Sequence, residues 1–82
     1  MLKGDKSGIS MEVYTDRPGM QLYTGNFIEE GRVCKEGAVY TKHSALCLET
    51  QVFPNSMKFP HFPNGILREN EKHNSVTTFK FI

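Results

Sequence analysis

Leu46-Cys47-Leu48-Glu49-Thr50-Gln51 sets a carboxylate into a run that otherwise reads as a buried β-strand. An ionised carboxylate taken out of water loses several kcal/mol of solvation, so it needs partners, a retained proton or a chemical task. Strand alternation puts Ala45, Cys47, Glu49 and Gln51 on one side and Leu46, Leu48, Thr50 and Val52 on the other. The second side is a core face. The first, with small residues followed by a carboxylate and an amide, suits a concave wall that a ligand approaches closely, and Cys47 reads there as a small buried wall residue. Low-dielectric surroundings lift a carboxyl pKa toward neutrality, where a general base works best. A strand glutamate is also commonly solvated or paired with Lys or Arg across a sheet. Position alone leaves both readings open.

Period-two alternation recurs on either side of this stretch, and no helical stripe does. Ile9, Met11, Val13 and Thr15 alternate with Ser10, Glu12 and Tyr14, and the strand stops at the turn composition Asp16-Arg17-Pro18-Gly19. Met20 to Thr24 forms a second strand, closed by Gly25-Asn26. Phe27 to Gly37 reads as a loop with Glu29-Glu30-Gly31 at its exposed tip, and Gly37 to Tyr40 as a short extended piece. The strand bearing Glu49 runs from Ser44 to Phe53. Pro54, Pro60 and Pro63, interspersed with Asn55, Asn64 and Gly65, forbid helix or central strand and describe an ordered loop anchored by Phe59, His61 and Phe62. Last, Ser75, Thr77, Phe79 and Phe81 oppose Val76, Thr78, Lys80 and Ile82 in a terminal strand. The fold class is all-β, with antiparallel strands. About five short strands form only part of a sandwich, because an independent sandwich domain runs to about 100 residues.

Composition removes several functions. Ten Lys and Arg against nine Asp and Glu give a formal net charge of +1 in 82 residues, without a basic stripe for a nucleic acid or an anionic membrane. Apolar runs fall far short of the roughly 20 residues of a spanning helix, and Met1 to Lys6 lacks the apolar core of a signal peptide. Cys34 and Cys47 are too few for a disulfide scaffold and read as free thiols; with His43 they lack paired zinc-ligand spacing. The expectation is a cytoplasmic chain with no cofactor and no metal.

Tyr23-Thr24-Gly25-Asn26-Phe27, then Lys42-His43-Ser44, then Cys47-Leu48-Glu49-Thr50-Gln51 with Phe53-Pro54, then Phe62-Pro63 with Ile66-Leu67-Arg68, and finally Thr77-Thr78-Phe79-Lys80-Phe81 follow one another along the chain. Each motif is weak alone. In this order and spacing, from Val13 to Phe81, they resemble the carboxyl-terminal segment of the aldose 1-epimerases, the galactose mutarotase family, with residues 1–10 outside the resemblance.

The resemblance implies that residues 1–82 are the C-terminal part of a large antiparallel β-sandwich. It implies an enzyme that interconverts the α and β anomers of hexoses such as galactose and glucose. Glu49 matches the family's general base, which takes the anomeric proton while a histidine protonates the ring oxygen. Gln21 matches a sugar-binding glutamine, and an amide offers a hydroxyl both donor and acceptor. The family's acid histidine has no match here: His43 falls on a motif position read as structural, His61 in the proline-rich loop and His73 in a polar turn. The isolated chain is therefore expected to be inactive or nearly so. The alternative is a non-catalytic carbohydrate-binding or structural β module derived from the same family. The expected partner is a small sugar, with the full enzyme a monomer and the open strand edges of this chain free to associate.

Overall fold

A computed structural model describes residues 1–82, which are β-strand and turn with two single 3-10 turns and no α-helix. The strands are β1 (Leu2–Lys3), β2 (Ser10–Thr15), β3 (Gly19–Tyr23), β4 (Cys47–Gln51) and β5 (Thr77–Phe81). The chain divides into two compact units, Met1–Gly19 with Thr50–Ile82, and Met20–Glu49. No helix is long and apolar enough to cross a membrane.

In the first unit β1, β2 and β5 form an antiparallel sheet in the order β1-β2-β5. The register sets Leu2 beside Met11, Met11 beside Phe81, Val13 beside Phe79 and Thr15 beside Thr77. One face is consequently apolar and carries Leu2, Met11, Val13, Phe79 and Phe81. The other holds the cross-strand pair Glu12 and Lys80, 3.8 Å apart, and Tyr14, whose hydroxyl donates to Glu12 Oε2 at 2.6 Å. That hydrogen bond and the carboxylate's charge hold the Tyr14 phenol above its ordinary pKa. An ion pair this open to solvent contributes no more than about 1 kcal/mol.

Asp16 ties the turn after β2 to the start of β5: its backbone N–H donates to the Val76 carbonyl and its Oδ1 accepts from Val76 N–H. Three threonines form a hydroxyl chain, Thr15 to Thr77 at 3.2 Å and Thr77 to Thr50 at 2.8 Å, so Thr50 joins a polar line rather than a purely apolar core. The proline-rich segment is ordered as expected, by aromatic packing of Phe53 on Phe62 at 5.0 Å and of Phe59 on Phe62 at 5.4 Å between ring centroids. His61 meets the edge of Phe62 at 4.4 Å.

In the second unit the segment Gly31 to Tyr40 differs from the loop and extended piece expected. It is a tight hairpin, bridged at Val33 and Val39, with a 3-10 turn at Lys35–Gly37. Positive φ at Glu36 (58°) and Gly37 (76°) reverses the chain there, which moves the tip from Glu29–Gly31 to Lys35–Gly37. Cys34 sits in this hairpin, and its hydrogen bond holds the Tyr40 phenol above its ordinary pKa. The strand expected over 44–53 shortens to Cys47–Gln51, because Thr41 to Ser44 closes a hydrogen-bonded turn ahead of it and Phe53 to Ser56 closes another behind.

No apolar side chain of the chain is fully buried. The accessible surface is 7066 Å², whereas a folded monomer of this mass exposes about 5,000 Å². The two cysteines are free thiols, Cys34 half-buried and Cys47 exposed.

Candidate active site

The site expected from the sequence lies on β3 and β4, which pair as a two-stranded sheet. The backbone is closely approached at Gly19 and again at Gly25. A Cβ on Gly19 would lie 3.4 Å from the Gln51 carbonyl oxygen, and a Cβ on Gly25 would lie 2.8 Å from that of Ala45. Gln21 lies on β3 and Glu49 on β4; an amide both donates and accepts, and a carboxylate can accept a proton.

Glu49 itself corrects the first expectation. It is exposed, as are Cys47 and Leu46, while Leu48 and Thr50 are half-buried. Exposure alternates as expected from Cys47 to Thr50, but Leu46 is exposed and Gln51 half-buried, and nothing within these residues covers the carboxylate's face. Cys47 is accordingly not a buried wall residue. No ion pair or hydrogen bond holds the Glu49 carboxylate; the ion pair of the chain is Glu12 with Lys80. Gln21 is exposed too, with its Nε2 3.4 Å from the Leu22 carbonyl.

The three histidines occupy separate places. His61 belongs to the aromatic cluster, and His73 lines a cavity of about 670 Å³ in the first unit, with Arg17, Gln51, Asn64 and Lys72. His43 lies in the second unit, its Nδ1 2.8 Å from the Thr24 carbonyl oxygen. No three His, Cys, Asp or Glu side chains gather where they could hold a metal ion.

Gly25, buried just after β3, is the tightest backbone position of this unit. Its φ is +74°, and a methyl group there would meet Ile28 Cδ1 at 2.7 Å as well as the Ala45 carbonyl. Backbone cannot swing aside as a flexible side chain can. Gly25→Ala is therefore expected to lower stability by about 1–3 kcal/mol, through both the left-handed φ and the clash. Urea unfolding of wild type and variant checks this, and equal midpoints would mean that the turn does not need its glycine.

Comparison with known proteins defines the family. The aldose 1-epimerase family model matches residues 1–80. Galactose mutarotase from Mus musculus is 55% identical over 75 residues, and that from Homo sapiens 51% identical over 75 residues. Each alignment covers 92% of this chain and 22% of the relative. Aldose 1-epimerase from Escherichia coli (strain K12) is 33% identical over 76 residues, 90% of this chain and 22% of the relative. The chain belongs to the aldose 1-epimerase family, and it spans about a fifth of the length of the curated relatives it matches.

Proposed function

We propose that residues 1–82 form the base-bearing, carboxyl-terminal part of a mutarotase that interconverts the α and β anomers of a free hexose such as galactose or glucose in the cytoplasm. The observation that supports this reading is that Gln21 and Glu49 lie on the neighbouring strands β3 and β4. Glu49 takes the proton of the anomeric hydroxyl as the ring opens, and returns it once the C1–C2 bond has turned and the ring closes on the other face. One carboxylate can serve both directions because accepting and releasing the proton are the same step reversed. Gln21 holds a sugar hydroxyl beside it. The acid that protonates the ring oxygen is none of His43, His61 and His73, so on this reading it comes from outside these 82 residues.

The exposure of Glu49 favours a second reading, a carbohydrate-binding or structural module without catalysis. Polarimetry of freshly dissolved α-galactose separates the two. The 82-residue chain alone is expected to leave the rotation drifting at its uncatalysed rate. A chimera in which it replaces the matching segment of mouse galactose mutarotase is expected to accelerate the drift. A folded chimera that leaves the rate unchanged would overturn the enzymatic reading and leave the module.

A further inference from the structure

The register of β3 and β4 has no obvious local determinant. A one-residue slip would send either Gln21 or Glu49 to the opposite face, and a buried face ordinarily prevents that. Here Met20, Gln21, Leu22, Cys47 and Glu49 are all exposed, so side-chain burial discriminates weakly between registers. A two-stranded ladder is marginal by itself. Something at its ends has to fix it.

The end beyond Tyr23 and Cys47 supplies such a device. His43 adopts φ +63°, a left-handed conformation that side chains other than glycine enter at a cost and that persists where surrounding contacts enforce it. Its backbone N–H donates to the Gly25 carbonyl at 3.2 Å, and its ring Nδ1 lies 2.8 Å from the Thr24 carbonyl oxygen. A carbonyl only accepts, so Nδ1 bears the hydrogen and the neutral ring is bare at Nε2. The turn itself is closed by Ser44 N–H to the Thr41 carbonyl at 3.0 Å and by Thr41 N–H to Ser44 Oγ at 3.2 Å. On the facing segment, the Ile28 N–H also donates to the Gly25 carbonyl. Backbone and ring of one residue thus bind two successive carbonyls of the segment leaving β3, immediately before the chain enters β4.

We propose that His43 is a positioning residue: by clamping Thr24 and Gly25 it sets the β3–β4 register and keeps the Glu49 carboxylate on the same face as the Gln21 amide. The clamp itself stands on geometry; the shared face and the consequence for turnover rest on the roles proposed for Gln21 and Glu49. His43 does not touch substrate in this scheme.

Two measurements test it. In the folded mouse chimera, ring nitrogen and carbon chemical shifts of neutral His43 are expected to report the Nδ1–H tautomer. Free neutral histidine favours Nε2–H, and finding that form at His43 of the folded protein would overturn the clamp. In the mouse chimera three substitutions separate ring from backbone. His43→Asn keeps a side-chain donor and tolerates the left-handed φ, so kcat should stay within about threefold of the parent. His43→Gly keeps the φ but loses the donor, and His43→Ala loses both. Each of these two should lower kcat by about 10- to 100-fold with a smaller change in KM, the signature of displaced reacting groups. A His43→Gly chimera as active as the parent would overturn the role of the ring. Retained activity of a Glu49→Gln chimera would instead sink the base assignment and leave the tautomer result standing.

Discussion

Glu49→Gln in the mouse chimera is expected to slow mutarotation by about 10²–10⁴-fold, the usual worth of one positioned proton-transfer group. That corresponds to about 3–5 kcal/mol of barrier. Stability should hardly respond. Glu49 is exposed in this chain and has no ion-pair or hydrogen-bond partner whose loss would orphan a buried group. Surface changes of that kind stay within about 0.5 kcal/mol. The amide fills the same volume and can still bind a hydroxyl, so KM should move much less than kcat. A structural carboxylate behaves in the opposite way, moving the unfolding midpoint and sparing the rate. Initial polarimetric rates and urea midpoints on the same two preparations decide between them, and an unchanged rate would rule Glu49 out as the base.

What could be read in advance follows what each signal measures. Alternation reports which side chains share a face, so β2, β3 and β5 and the two faces of β4 were all legible from residue types. Alternation does not report what lies against a face. Cys47 and Glu49 therefore read as buried although they are exposed here. The β1 strand was missed because Leu2–Lys3 is too short to show a period; its pairing is set by the turn from Gly4 to Ile9, whose backbone hydrogen bonds carry no sequence period. Gly37 to Tyr40 misled for the converse reason: its apolar residues suggest a strand, but the left-handed residues Glu36 and Gly37 bend it into a hairpin. That Gln21 and Glu49 lie on neighbouring strands could be expected from the spacing of the family motifs, and β3 and β4 do pair. His43 was legible only as a motif position, because a histidine's φ and the carbonyl it bonds are decided by the facing turn rather than by its neighbours in sequence.

Phe79→Lys and Phe81→Lys together are expected to give opposite results in the chain alone and in the chimera. These rings lie on the apolar face of the β1-β2-β5 sheet, beside Val13 and Met11, and are 49% and 69% exposed. A sheet with one apolar face is stable when a second layer packs on it, about 10 Å away. The 7066 Å² of accessible surface exceeds that of a folded monomer of this mass by about 2,000 Å², an area on the scale of an obligate interface. On its own the chain should therefore associate and bind a hydrophobic dye. The two lysines should reduce both effects, at little cost to a sheet whose rings are already largely in water. In the chimera the remaining segments of the mutarotase are expected to cover the face, and the same substitutions then put charge into an apolar contact. Truncating a buried phenylalanine costs about 3–5 kcal/mol, and an unpaired charge adds to that, so the chimera should lose its cooperative unfolding or fail to fold. Sedimentation velocity of the chain and urea unfolding of the chimera give the two readings. A chimera that tolerates both lysines would mean that this face stays open to solvent in the assembled sandwich, and that the excess surface lies elsewhere.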